Sequence, residues 1–122
     1  MYNIEFYEDK NGKSEVYEYI QNLKKNRCKE NKQKLKKIDM YLDLLSEYGL
    51  SLAEPYIKKL DTDIWELRPL RDRILFVSWR DNKFVLLSVF MKKTQKTPPT
   101  EIERAKRLLD DYKKRSWVWW EI

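Results

Sequence analysis

The sequence predicts an α+β fold, in which a small twisted antiparallel β-sheet carries an N-terminal αα-hairpin and a C-terminal helix. A length of 122 residues, 42% of them hydrophobic, suits one domain with one compact core. The hydrophobic spacing is helical in the first half and again near the end, and it changes to strand alternation between residues 64 and 91. The predicted order is β-α-α-β-β-β-α.

The first half predicts one strand and two helices. Residues 2–7 (YNIEFY) combine aromatic and β-branched side chains in a strand pattern. Ser14 is a suitable N-cap for the next helix, and Gly49 is a suitable C-cap for the one after it. The core-facing positions are Val16, Ile20 and Leu23 in the first helix, and Leu35, Ile38, Leu42 and Leu45 in the second.

The middle of the chain predicts three consecutive strands. Residues 64–68 (IWELR) alternate between apolar and charged side chains, and Pro69 ends this strand. Residues 73–80 and 83–91 are apolar on both faces, as central strands are. Asp81-Asn82 between them is typical of a tight hairpin turn.

The last helix is predicted to open with a capping box formed by Thr100 and Glu103. Ile102, Ala105 and Leu109 form its apolar stripe. We expect residues 1–115 to form the single domain and 116–122 a tryptophan-rich tail. The tail side chains Trp117, Trp119 and Trp120 suit packing under the sheet, a partner contact or base stacking.

The composition excludes several classes of chemistry. Histidine is absent and Cys28 is the single cysteine, so neither a Cys/His zinc site nor a histidine-based nucleophilic triad can be assembled. We therefore expect no metal and no cofactor. If a metal were used, its ligands would be carboxylates: Glu66, Asp61, Asp63 and Asp72. No apolar run is long enough to span a membrane, and no secretory signal is readable, so we expect a cytoplasmic protein.

The positive charge is concentrated in the middle third. The formal net charge is +6, and residues 56–97 contain 10 basic and 5 acidic residues. Such an excess favours a polyanionic partner without identifying it. A second lysine-rich run at 24–37 is either a solvated helix end or a further phosphate-contacting patch.

Basic residues collect where the predicted strands end. A short turn places Arg68 and Arg73 across one hairpin, and Lys92 and Lys93 follow the last strand on opposite faces. They are either solvated strand ends or a phosphate site. Arginine forks match phosphate oxygens, and lysine can transfer protons. In a chain without histidine, this set suits RNA cleavage by the substrate's own 2′-hydroxyl.

These same segments resemble a known family. IWELR at 64–68, RILF at 73–76, the run from Leu87 to Pro98, and the start of the last helix are similar to RelE/ParE-superfamily toxins. The similarity is to the HigB-type, phage-derived-toxin-like branch, and it spans roughly residues 1–115. Its most specific part is F-x-K-K-T-Q-K-T-P at 90–98.

The resemblance implies the toxin of a type II toxin–antitoxin pair that cleaves mRNA on the translating ribosome. It also implies a HigA-like helix-turn-helix antitoxin, a heterotetrameric complex with that antitoxin, and operator binding through the antitoxin alone. The alternative within the superfamily is a ParE-like toxin that inhibits gyrase by binding.

The resemblance covers some of the candidate site residues, and the other roles are expectations from charge and position. Arg68 and Arg73 match the sheet arginines, which we expect to be solvated, and Lys92 or Lys93 is the expected base. Glu66 is the carboxylate alternative to that base, although a salt bridge to Arg68 is its simpler role. The remaining expected phosphate-binding residues are Lys58, Lys59, Arg71 and Lys96.

Overall fold

The computed structural model describes the backbone of residues 1–121 and the side chains of residues 1–116. Three helices pack on a five-stranded sheet of order β1-β5-β4-β3-β2. The strands are β1 (Asn3–Phe6), β2 (Ile57–Lys59), β3 (Trp65–Leu67), β4 (Asp72–Trp79) and β5 (Lys83–Met91). The helices are α1 (Glu15–Lys25), α2 (Lys29–Tyr48) and α3 (Pro99–Glu121). The predicted α+β fold class is confirmed.

The αα-hairpin begins and ends where the sequence predicts. The Ser14 hydroxyl accepts a hydrogen bond from the Tyr17 N–H at 3.2 Å and caps α1. Gly49 ends α2 at a φ of +61°, and its N–H bonds to the Leu45 carbonyl. A side chain at Gly49 would meet the Tyr2 ring at 2.5 Å, so this position requires glycine for space as well as for conformation.

The sheet differs from the prediction in two respects. It is mixed rather than purely antiparallel, because β1 lies parallel to β5. It also contains a strand that the sequence pattern missed, since β2 pairs antiparallel with β3 at the far edge. Three residues are too few to show an alternation, and the pattern of β1 contains no information about the direction of a partner 80 residues away.

A β-bulge in β5 sets which side chains face which helix. Leu86 pairs with Phe76 and Ser88 with Leu75, which leaves Leu87 as the extra residue. Beyond the bulge, Val89 packs in the core beneath α1 and α2, and Phe90 packs in the core beneath α3. The bulge therefore determines the face on which the end of β5 presents each residue.

Each face of the sheet has its own hydrophobic core. The α1–α2 face buries side chains such as Ile38, Leu45 and Phe76. The α3 face buries side chains such as Leu75, Ala105 and Leu109. No helix of the described residues is long and apolar enough to cross a membrane.

The predicted capping box of α3 is wrong. The helix starts at Pro99, and the Glu101 N–H bonds to the Pro98 carbonyl at 3.0 Å, so Thr100 lies inside the first turn. Proline suits this position, because its fixed φ is helical and the first N–H groups of a helix lack partners in any case. The helical backbone continues to Glu121, whereas the side chains of the predicted tryptophan tail lie outside the described residues.

The β5 edge continues beyond the point at which β1 ends. There the Val89 N–H donates to a carboxylate oxygen of Glu15 at 2.9 Å. The other oxygen of this carboxylate binds Arg104 from α3. One side chain at the start of α1 thus completes the strand edge and connects α1 to α3.

Candidate functional site

A buried carboxylate lies between two arginines at one end of the sheet, on the α3 face. Glu66 is 1% exposed, and its Oε1 lies 3.5 Å from Arg68 Nε and 3.9 Å from Arg73 Nε. Its other oxygen, Oε2, accepts a hydrogen bond from the Thr97 hydroxyl at 2.5 Å. The expected salt bridge between Glu66 and Arg68 is confirmed.

The β3–β4 hairpin brings the two arginines together. Leu67 pairs with Ile74, so Arg68 and Arg73 are the next residues to face each other across the hairpin. Leu70 in the turn has a φ of +56°, which directs its side chain into solvent. Arg73 Nη1 donates to the carbonyls of Leu70 and Asp72 at 2.9 and 2.8 Å, which fixes the turn to the site.

Arg73 is buried, which corrects the prediction of a solvated arginine. Only 6% of the residue is exposed, because β4 is flanked by β3 and β5 on its two sides. Burial lowers the pKa of its guanidinium, and the positive charge of Arg68 acts in the same direction, whereas Glu66 opposes them. Arg73 therefore has a structural role in addition to any chemical one, and its removal will cost stability.

The segment that carries the family resemblance lies beside these arginines. The Lys92 N–H donates to the Arg71 carbonyl at 2.7 Å, and Arg71 Nη2 donates to the Lys92 carbonyl at 3.0 Å. Farther along, Thr97 reaches Glu66, so both ends of the segment are fastened to the hairpin. Residues 92–97 thus border the group formed by Glu66, Arg68 and Arg73, which we call the Glu66 cluster.

The lysines that follow β5 differ in position. Phe90 pairs with Arg73 on the α3 face, so strand alternation assigns Lys92 to the side of the arginines and Lys93 to the other side. Lys92 is half-buried, and Lys93 and Lys96 are exposed.

The lysines of β2 divide in the same way. Lys58 pairs with Glu66 and therefore joins the cluster, as an exposed residue at its edge. Lys59 pairs with Trp65 instead, and its ammonium lies 5.8 Å from the centre of that indole ring on the α1–α2 face. Of the expected phosphate-binding residues, Lys58 and Arg71 are thus close to the arginines, and Lys59 is not.

A second buried carboxylate was missed as a feature of this region. Asp72 is 1% exposed on the α1–α2 face, where it accepts a 2.6 Å hydrogen bond from the Tyr19 hydroxyl and lies 3.9 Å from Lys34 Nζ. Burial raises the pKa of Tyr19, and Asp72 raises it further, which keeps the hydroxyl protonated as a donor. The sequence signal for this position is strand alternation, which places Asp72 on the same face of β4 as the buried Ile74.

The carboxylates considered as alternative metal ligands do not assemble. Asp61 binds Lys106, and Asp63 lies 3.9 Å from Lys113. Both carboxylates therefore form ion pairs with lysines of α3 and do not group with Glu66. Asp72 lies on the other face. Within the described residues, no three metal-ligating side chains group together.

The arrangement is suited to binding and stabilising a phosphate. Two guanidinium groups lie beside one carboxylate, and Arg68 Nη1 also donates to the exposed carboxylate of Glu54 at 3.4 Å. Guanidinium groups match the geometry of phosphate oxygens. Three neighbouring residues supply positive charge around the two arginines. Arg71 and Lys58 are exposed, and Lys92 is half-buried.

The chain matches a described protein family and is similar in fold to solved structures. Residues 18–110 match the family described as phage-derived protein Gp49-like. The YoeB–YefM complex from Staphylococcus aureus contains a chain that is 20% identical, with a TM-score of 0.56 over 76% of this chain and 99% of that one. No curated protein sequence matches.

Proposed function

The chain belongs to the family of Gp49-like phage-derived proteins, a family of RelE/HigB-type toxins, and on that basis we propose that it is a ribosome-dependent mRNA endoribonuclease. The observation that carries the proposal is the Glu66–Arg68–Arg73 cluster beneath the 92–97 segment. Two arginines of the sheet and the basic segment that carries the resemblance lie next to each other in this cluster. A chain with these groups and no histidine is equipped to stabilise phosphate charge.

In the proposed reaction, the 2′-hydroxyl of the substrate attacks the adjacent phosphorus, and the 5′-oxygen leaves and takes up a proton from water. Arg68 and Arg73 stabilise the negative charge that grows on the phosphate oxygens. Glu66 positions both guanidinium groups. We assign proton transfer at the 2′-hydroxyl to Lys92 rather than Lys93, because Lys92 lies on the side of the arginines. The products are a 2′,3′-cyclic phosphate and a free 5′-hydroxyl.

The proposed partners follow from the family and the charge. The substrate is mRNA held on the ribosome in the cytoplasm, and Lys58, Arg71 and Lys96 contact its phosphates. A HigA-like helix-turn-helix antitoxin neutralises the toxin in a heterotetramer and alone contacts operator DNA. The similar chain in the YoeB–YefM structure is itself part of a two-protein complex.

The nucleophile provides the direct test. A single 2′-deoxy substitution at the cleaved nucleotide should abolish cleavage on a purified ribosome complex and leave binding of the toxin nearly unchanged. The hydroxyl is the attacking group, whereas the phosphate contacts do not require it. Cleavage of the unmodified mRNA, mapped by its 5′-hydroxyl ends, is the positive control.

Products with 5′-phosphate ends, or normal cleavage of the deoxy substrate, would contradict the mechanism. A second experiment distinguishes the proposed nuclease from a toxin that inhibits gyrase by binding. Expression in cells should stop translation and yield cut mRNA, whereas DNA damage and filamentation with intact mRNA would identify a ParE-like toxin.

A further inference from the structure

The outer face of α2 has an exposed apolar stripe. Met40 is 42% exposed and Tyr48 54% exposed, with the half-buried Leu44 between them. Leu70, at the tip of the β3–β4 turn, is 47% exposed and extends the stripe at one end. Large apolar side chains gathered on one exposed face of a small domain mark a surface that contacts another molecule.

Two shallow cavities along this face meet at Met40. One has a volume of about 420 Å³ and is lined by Gln33, Lys36, Lys37, Met40 and Leu70. The other has a volume of about 350 Å³ and is lined by Met40, Asp43, Leu44, Glu47 and Tyr48. Met40 lines both cavities, and we call the two together the α2 groove.

The two halves of the α2 groove carry opposite charges. Lys36 and Lys37 border the half beside Leu70, and Asp43 and Glu47 border the half beside Tyr48. Within the described part of the chain, none of these four groups forms an ion pair with another residue. The groove is thus basic at one end, acidic at the other and apolar in the middle.

We propose that the α2 groove is the interface of a symmetric homodimer. Two copies of α2 lie antiparallel with the two-fold axis close to Met40. Rotation about that axis places the lysines of each copy opposite the carboxylates of the other, and it buries both apolar stripes. In such an interface each contact occurs twice, so a surface with this charge pattern is complementary to itself.

The charge pattern favours a second copy over RNA as the occupant. RNA phosphates would be attracted to Lys36 and Lys37 but repelled by Asp43 and Glu47. The proposal also goes beyond the proposed nuclease function. The α2 groove and the Glu66 cluster lie on opposite faces of the sheet, so either proposal can fail without the other.

The test is the mass of the full chain in solution. Sedimentation equilibrium from about 1 to about 100 μM should show a monomer–dimer equilibrium, since specific contacts of moderate affinity fall in this range. Met40→Asp places a charge at the two-fold axis and should weaken the dimer by at least ~30-fold, as expected for the centre of an interface. Met40 is exposed in the monomer, so circular dichroism should show an unchanged fold.

A matched pair of charge reversals makes the test specific. Lys36→Glu with Lys37→Glu gives an all-acidic groove, and Asp43→Lys with Glu47→Lys gives an all-basic one. Each variant alone should be monomeric because its copies repel each other. An equimolar mixture should form a heterodimer, since the two grooves are then complementary at both ends.

The control has the same change in charge outside the groove. Lys24→Glu with Lys25→Glu alters exposed lysines in the last turn of α1 and should leave the dimer unchanged. A wild-type chain that stays monomeric throughout overturns the proposal, as does a dimer that survives Met40→Asp. A monomer whose RNA binding is lost in the Lys36/Lys37 variant would assign the groove to nucleic acid instead, which also overturns it.

Discussion

The two faces of the sheet each bury one carboxylate, and they hold it in different ways. On the α3 face, both oxygens of Glu66 are engaged, one by two arginines and the other by Thr97. On the α1–α2 face, Asp72 Oδ1 accepts from the Tyr19 hydroxyl, and Oδ2 has no hydrogen-bond partner among the described residues. One carboxylate is surrounded by excess positive charge, and the other is held chiefly by a neutral donor.

This difference indicates a candidate functional site around Glu66 and a structural contact at Asp72. Around Glu66, the exposed Arg71 and the partly exposed Arg68 connect the cluster to solvent. Asp72 is enclosed by α1 and α2, from which Tyr19 and Lys34 approach it. We therefore assign chemistry to the α3 face and helix attachment to the α1–α2 face.

The largest effect is expected at the lysines that follow β5. Lys92→Ala should lower the rate of mRNA cleavage by roughly 10²- to 10⁴-fold, the usual contribution of a proton-transfer group. Lys93→Ala removes the same charge from the other face and should change the rate only slightly. Single-turnover cleavage on a ribosome complex measures both. Equal losses in the two variants would show that the assignment by face is wrong.

The alanine variants of the two arginines should differ in the stability of the fold rather than in cleavage activity. Arg68→Ala and Arg73→Ala should each slow cleavage by about 100-fold, because each removes one group that stabilises charge in the transition state. Arg73→Ala should also lower the free energy of unfolding by about 1–3 kcal/mol, since the Leu70 and Asp72 carbonyls lose a buried donor.

Urea denaturation of both variants, beside their cleavage rates, measures this difference. Among the described hydrogen bonds, the side chain of Arg68 donates to Glu54 and to no main-chain carbonyl, so its variant serves as the control. An Arg73 variant of wild-type stability would remove the structural role assigned here.

The smallest effect on activity should come from neutralising the carboxylates themselves. Glu66→Gln keeps the shape of the side chain but weakens the alignment of the arginines, and it should slow cleavage by about tenfold. Asp72→Asn should reduce the free energy of unfolding and leave the cleavage rate of the folded protein unchanged. A folded Asp72→Asn protein without activity would mean that the two faces are not functionally separate.

Local patterns were sufficient to predict most elements of the fold. The N-cap at Ser14, the C-cap at Gly49 and the Asp81-Asn82 turn all depend on residues close in sequence, and the structure contains each of them. The parallel pairing of β1 with β5 depends on residues far apart, and no local pattern encodes it. The short strand β2 contains too few residues to show a period.

The same limit applies to the candidate site: contacts within one hairpin were predictable, and contacts between distant segments were not. Arg68 and Arg73 face each other because a short turn fixes their register, which the sequence shows directly. The burial of Arg73 was not predicted, because strand alternation does not show that the Leu70–Asp72 turn and the Glu66 side chain enclose its guanidinium. The contact between Thr97 and Glu66 joins residues 31 positions apart and required the fold.

The Glu15 carboxylate on the Val89 N–H has a consequence for how the protein behaves at high concentration. An uncovered strand edge is a template on which further strands add, and such addition leads to aggregation. Here the free amide is already occupied by a side chain that Arg104 holds in place. The opposite edge, β2, is only three residues long and contains two exposed lysines, which resist the approach of another strand. The part of β5 beyond β1 and the β2 edge are therefore both protected against the addition of further strands.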